Sequence, residues 1–333
     1  MAKLTIMSLN GEDMIELVPK DLSIPAPDSI AFNRGRLIGQ LITLISPDVV
    51  GLVEAPPDAP RTEKFVSIHL ADSYNVYQGD KRGTLGLAFL VRKGLNIKVQ
   101  MRTKAESLAH FQIKDFDADG DGIKELYSWA NRVPFEAVFS GSALKAPVTF
   151  ILVHSKSKGA FLPGDLFAYE RLSRANRMKL KAQAAAVRKR LDALVDEKGR
   201  GRVVVMGDMN DGPEFDAYAA LLGGAFLEPI MGSVWDPKRV FHNAHTGVPK
   251  QDRWTIDFKD RVVNPLEASK YGAPTELRSW IDHILLSPEL RDSVVKDSAH
   301  IFHQRPKLSS GAPAKFRNLK PTDHHPPYVT LDL

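Results

Sequence analysis

Cysteine is absent from the 333 residues. That excludes disulfide cross-links, thiolate metal sites and a cysteine nucleophile, so any chemistry here runs through oxygen and nitrogen groups. Also missing is any apolar run near the roughly 18 residues that cross a bilayer. Met1 to Asn10 lacks the basic segment followed by a long apolar one that marks a secretory signal. The compartment therefore stays open: cytoplasmic, or secreted or periplasmic if a signal has been removed. No repeat of fixed period and no low-complexity tract interrupts the chain.

What remains is ordinary for a globular protein, with 43% hydrophobic and 26% charged residues. The length suits one large α/β domain, or two fused halves sharing a core. A single domain over 1–333, monomeric, is the expectation. The formal charge of +5 and a pI of about 9.2 favour an anionic partner without identifying it.

Short β-branched and apolar runs alternate with helical and loop stretches, the pattern of a mixed α/β fold. Strands are expected at Leu4–Ser8, Asp48–Val53, Gly86–Val91, Pro134–Phe139, Val148–Val153, Val203–Met206 and Ile281–Leu286, with Tyr328–Leu333 closing the chain. Helices are expected around Ala31–Leu44 and from about Tyr169 to Val195. On the second, Leu172, Leu180, Val187, Leu191 and Leu194 fall on one face at helical spacing and predict a core contact. Arg174, Arg177, Lys181 and Arg188 form an adjacent stripe, either a solvated face or a contact for a polyanion. Two long irregular stretches, Asp257–Ser279 and Gln304–Thr322, read as functional loops.

The chain places carboxylates, amides and imidazoles at the ends of its strands. Asn10 follows the first, Glu54 the second (VVGLVEAP) and His154 the fifth (TFILVHSKSK). Asp208 and Asn210 follow VVVM, Asp282 opens the strand in SWIDHILLS, and Asp323 with His324 precedes the last strand in PTDHHPP. Strand-end loops are where α/β folds gather reactive groups. One such residue means little, because Asn and Asp favour turns, but six strand ends carrying one chemical set point to a site. An oxygen-rich site without thiolate suits Mg²⁺ or Mn²⁺, or Ca²⁺, better than zinc. Such a metal polarises a phosphoryl oxygen, an Asp orients or deprotonates water, and a His beside another Asp serves as acid or charged donor.

This set of Asn10, Glu54, His154, Gly207-Asp208-Met209-Asn210, Asp282 and Asp323-His324, in this order, resembles the endonuclease/exonuclease/phosphatase superfamily of DNase I-like proteins. The resemblance implies a four-layer α/β sandwich, two mixed β-sheets face to face with helices outside. It implies Glu54 as principal metal ligand with Asn10 and Asp323 near the ion, Asp208 acting on water and held by Asn210, and His324 paired with Asp282. It further implies that His154 contacts the phosphate from the other side. Gly83–Gly94 and Arg132 resemble the family's second-hairpin region, with Arg132 as a phosphate contact. Lys156 and Lys158 resemble a pattern in bacterial nuclease-like members and are placed to hold a phosphodiester backbone.

Asp117, Asp119 and Asp121, followed by Gly122, begin like a calcium-binding EF-hand loop, with Glu125 at the ninth position. Ser128 stands at the twelfth, where a bidentate Glu belongs. A structural Ca²⁺ and an acidic surface turn are both consistent with this segment. The leading expectation is a metal-dependent phosphodiesterase with nucleic acid as substrate, a nuclease. The alternatives are a phosphatase or phospholipase-type enzyme acting on inositol phosphates or sphingolipids, and a non-catalytic binding protein on the same fold. A lipid enzyme wants an exposed apolar loop, for which Trp254 and Trp280 are the candidates.

Overall fold

The computed structural model describes residues 3–79, 83–129, 132–160, 164–213, 220, 222, 226–259, 276–308 and 313–333. Two six-stranded sheets dominate it. The first contains β1 (Lys3–Asn10), β2 (Val49–Ala55), β3 (Tyr74–Gln78), β4 (Gly86–Arg92), β13 (His300–Ile301) and β14 (Pro327–Asp332), in the order β13-β14-β1-β2-β4-β3. The second runs β5 (Lys98–Met101), β6 (Phe135–Ser140), β7 (Val148–His154), β8 (Val203–Asp208), β12 (Asp282–Leu286) and β9 (His242–Asn243). A separate ribbon pairs β10 (Ile256–Lys259) with β11 (Glu276–Ser279). Residues 260–275 of the predicted loop Asp257–Ser279 lie outside the described residues. Its described ends are this ribbon, a correction to an irregular segment.

The central strands are apolar on both sides because both sides are covered. Leu4, Ile6, Val49, Val53 and Phe89 from one sheet meet Phe150, Leu152, Val204, Met206 and Ile284 from the other in a shared core. The alternate residues Met7, Leu9, Val50 and Leu52 pack under α1 (Ile30–Ile45) and α2 (Ala59–His69). On the opposite face, Ile151, Val153, Val203, Val205 and Leu285 pack under α4 (Leu166–Leu194). A short helix, α3 (Lys104–His110), starts with a Thr103–Glu106 capping box. The layers are thus helix, sheet, sheet, helix, as expected. No helix among the described residues is long and apolar enough to cross a membrane.

Asp165 caps α4 by accepting the Ala168 N–H, so the helix begins earlier than Tyr169. Leu180, Val187 and Leu191 are buried as predicted. Leu172 is not: at 36% exposure it lies on the first turns, which extend past the sheet's cover together with Leu166 and Phe167. The basic stripe is also mostly turned towards the protein. Arg174 pairs with Asp119 at 2.6 Å, and Lys181 donates to the carbonyls of Ala118 and Leu222 at 2.9 and 2.6 Å. Arg177 donates to Ser173 O at 3.0 Å, and Arg188 to Ile230 O at 3.1 Å. This stripe is largely a packing surface.

Strand directions decide where the reactive ends gather. β1 pairs parallel to β2, and β7 parallel to β8, so their four C-terminal ends emerge together at one edge of the sandwich. β12 and β14 run antiparallel to β8 and β1, so both start at that edge. Gly207 makes the exit from β8 possible. Its φ is +134°, and a Cβ there would press into the carbonyl oxygen of Val153. Gly207→Ala is expected to destabilise the fold by about 3 kcal/mol from strain and overpacking together. Thermal unfolding with an unchanged midpoint would contradict this.

Candidate active site

Asn10, Glu54, His154, Asp208, Asp282 and His324 converge on that edge. The Asn10 side-chain amide donates to Asp208 Oδ2 at 3.0 Å and to Glu54 Oε1 at 3.4 Å, joining the two sheets. Glu54 lies at a bulge between β2 and β4 with φ +56°, a left-handed conformation that non-glycine residues rarely hold. The bulge turns its carboxylate towards the site, where Oε2 accepts the Asp13 N–H at 2.7 Å. Asn210, also left-handed at φ +48°, offers its backbone N–H to Asp208 Oδ1 at 2.8 Å. Its side-chain amide holds Ser155 O at 3.2 Å, so Asn210 ties the loop after β8 to the loop after β7.

His324 Nδ1 donates to Asp282 Oδ2 at 2.7 Å in a buried dyad. Thr255 Oγ1 accepts the Asp282 N–H at 3.0 Å, while Asp282 Oδ1 is buried without a hydrogen-bond partner. Burial alone would push the His324 imidazole down. The charge and hydrogen bond of Asp282, with the charges of Asp208 and Asp323, overcome it and push His324 up to about 10. Burial, and then the charge of Asp282, push the Asp208 carboxyl up to about 7 against the pull of His324. Burial pushes His154 well below its usual value, helped by Arg132 and His324. Arg132 Nη1 lies 3.2 Å from His154 Nε2 and 3.1 Å from Ser155 O. A guanidinium only donates, so His154 Nε2 accepts and the proton of its neutral ring sits on Nδ1.

Asp323 carries its carboxylate 40% exposed, with Oδ1 3.7 Å from His324 Nε2. Its N–H donates to Glu12 Oε2 at 3.1 Å. Glu12, absent from the sequence-derived set, is pushed up by burial and by Asp323. Arg34 pairs with it at 3.7 Å and donates to Gly11 O at 2.5 Å. Thr322 was likewise not singled out: its hydroxyl donates to Asn10 O at 2.8 Å and accepts the His324 N–H at 3.1 Å, fastening the last loop to the first strand. Arg305 holds the same loop, donating to Asp323 O at 3.2 Å while paired with Asp257 at 2.8 Å. Arg305 sits in the loop flagged as functional, whereas Thr255 gave no signal because its role depends on pairing across the fold.

These residues fit a hard divalent cation. The acidic side chains offer oxygen, one buried oxygen of Asp282 has no partner, and burial followed by the charge of Asp282 pushes Asp208 up. One group of possible ligand atoms, from Asp208, Asp282 and His324, lies within 4.8 Å of one another. The Asp282–His324 hydrogen bond already engages two of these three residues. Glu54 and Asp323 differ in carrying partly exposed carboxylates, open to an ion from solvent.

The other predicted residues divide. Lys156 stands beside Arg132, but Lys158 turns inward, its ammonium against buried Asp211, which also accepts the Leu227 N–H. Trp254 is stacked between His303, 4.1 Å away, and Arg278, and Trp280 is 5% exposed. Neither forms an apolar surface. The oxygens of Asp117, Asp119 and Asp121 also gather within 4.8 Å. However, Asp119 is paired with Arg174, and the Glu125 carboxylate accepts from Tyr127 at 3.1 Å.

A helix–sheet–sheet–helix sandwich with a carboxylate-rich edge and a buried His–Asp dyad defines a class of phosphoester hydrolases. The chain belongs to the Endonuclease/Exonuclease/phosphatase family, whose pattern it matches over residues 30–324. Asn10 precedes the matched region. Among solved structures, D. rerio TDP2 complexed with a single-stranded DNA product is similar at TM-score 0.55, with 18% identity over 100% of both chains. Truncated TDP2 of Caenorhabditis elegans is similar at 0.54, with 16% identity over 99% of this chain and 97% of that one. A mannosyl-6-phosphatase of Bacteroides thetaiotaomicron reaches 0.53, with 15% identity over 99% and 100%. No curated protein sequence matches.

Proposed function

We propose that this member of a metal-dependent phosphoester hydrolase family is a phosphodiesterase acting on nucleic acid. The observation that carries the reading is the pairing of two unlike walls. Carboxylates of Glu12, Glu54, Asp208, Asp282 and Asp323 line one side, and Arg132 with Lys156 stands beside His154 on the other. The first suits a divalent cation and an attacking water, the second a phosphodiester. The single-stranded DNA product held by D. rerio TDP2 agrees with this choice of substrate. The mannosyl-6-phosphatase keeps a sugar phosphate as the second reading.

Mg²⁺ or Mn²⁺ held by Glu54, with Asn10 and Asp323 beside it, would supply Lewis-acid polarisation of a phosphoryl oxygen. Asp208 takes the proton from the attacking water, its two oxygens fixed by Asn210 N–H and the Asn10 amide. His324, kept as imidazolium by Asp282, faces the phosphate as a charged donor rather than a base. Arg132 offers further donors to the phosphate.

A panel of single-stranded DNA, plasmid, RNA, bis(p-nitrophenyl) phosphate, inositol phosphates, mannose 6-phosphate and sphingomyelin tests this, with and without Mg²⁺, Mn²⁺ or EDTA. Metal-dependent cleavage of nucleic acid is expected; turnover confined to monoesters or lipid would overturn the substrate. Glu54→Gln should raise the half-saturating Mg²⁺ concentration by roughly 10–100-fold, with activity partly restored by excess metal. An unchanged metal titration would remove Glu54 from the ligands.

A further inference from the structure

On α4, Lys179 is half-buried near Arg132. Its neighbours on the basic stripe are engaged by protein acceptors, whereas among the described residues no carboxylate pairs with Lys179 or with Lys156. The two lysines come from distant parts of the chain and are brought together by a specific tie. The Lys156 N–H donates to Oε1 of buried Gln183 at 2.9 Å, which binds the loop after β7 to α4. Gln183 is four residues from Lys179 and so lies on the same helix face. Arg132 supplies the third corner, against His154 and Ser155 O.

All three side chains are half-buried. Burial pushes the Lys156 ammonium down, with Arg132 and Lys179 adding to it; burial and then Arg132 push Lys179 down. Like charges gathered and partly desolvated work against folding. An anion placed among them reverses that penalty, and perturbed charges without a structural partner beside a reactive centre mark a binding function. The cluster begins at His154, which lies 3.5 Å from Glu54 and 3.8 Å from Asp208, and continues to Lys179 on α4, on which Arg132 acts and neither carboxylate does. A single small phosphate ester held at the carboxylates would not need Lys179. A strand carrying a second phosphate would.

We propose that Arg132, Lys156 and Lys179 form a second phosphate subsite that holds the phosphodiester neighbouring the one cleaved, which selects a single-stranded polynucleotide over a small phosphate ester. This rests on the phosphodiesterase reading above. Lys179 is then a specificity residue, bound to substrate away from the reacting phosphorus.

The test is anisotropy of a fluorescein-labelled 12-nucleotide single strand in EDTA, where cleavage cannot contribute, over a range of salt concentrations. Lys179→Met should weaken binding at least fivefold and reduce the slope of log K against log salt by about 0.7, one phosphate contact on a single strand. Lys179→Arg should restore most of both. Lys189→Met, which removes an exposed cation further along α4, should change neither. In Mg²⁺, Lys179→Met should raise KM for the oligonucleotide at least fivefold more than for bis(p-nitrophenyl) phosphate. Equal slopes for the wild type and Lys179→Met would overturn the subsite, as would a strand that does not bind the wild type. Turnover of bis(p-nitrophenyl) phosphate reports on the phosphodiesterase reading separately, so the two can fail independently.

Discussion

Asp208→Asn is expected to lower kcat by about 10³-fold or more on every substrate the protein turns over, at the upper part of the range for loss of a general base. Asn210 N–H and the Asn10 amide hold the two oxygens of Asp208 in place. The carboxyl is pushed up to about 7 by burial and Asp282, which gives it proton affinity suited to taking a proton near neutral pH. An amide of the same shape keeps the Asn210 contact and has no such affinity. Thermal unfolding should be little changed, because the substitution removes a buried charge and leaves volume intact. Near-normal turnover on any substrate, at any metal concentration, would sink this mechanism.

The second large effect belongs to Asp282→Asn. His324 owes its raised value to this carboxylate, which accepts its Nδ1 proton at 2.7 Å and offsets the cost of burial. With the partner neutral, burial dominates and the imidazole loses its proton at lower pH. In the wild type the imidazolium persists until the pH approaches about 10. In the variant, the alkaline limb of the rate profile should move down by one unit or more, and kcat at pH 8 should fall by roughly 10²–10⁴-fold. A reduced rate with an unmoved alkaline limb would mean that Asp282 orients the ring without setting its charge. The same pair links stability to pH. A histidine raised from 6.5 to about 10 contributes stability fully present below pH 6.5 and lost as pH rises towards 10. Chemical denaturation of Asp282→Asn should show less of that loss.

The strands that organise the site were legible because they are buried on both faces and read as unbroken apolar runs ending in polar residues. TFILVHSK and VVVMGDMN carry their own punctuation. The edge strand Tyr74–Gln78 and α2 were not foreseen. The start of α2, EAPPDAPR, reads as loop, although Asp58 caps the helix by accepting the Arg61 N–H at 3.2 Å. The residues proposed for catalysis were visible at strand ends, but the groups that hold them were not. Glu12, Thr255 and Thr322 acquire their roles from partners 311, 27 and 312 positions away. Lysines fared worst, since sequence alone cannot distinguish Lys158, turned to a buried carboxylate, from Lys179, left without one.

The pairing of β1 with β14 sets Lys3 opposite Asp332 in antiparallel register, so the two ends of the described chain lie side by side at the edge away from the site. A short glycine–serine linker can therefore join them. New termini opened in the exposed turn at Glu197-Lys198, between α4 and β8, would leave every site loop intact. Such a circular permutant should retain both the fold and the metal-dependent activity. It would also reverse the order of synthesis. In the native chain, Asn10 waits for the last loop to emerge before Thr322 can hold it. In the permutant, the segment carrying Asp208, Asp282 and His324 would be made first.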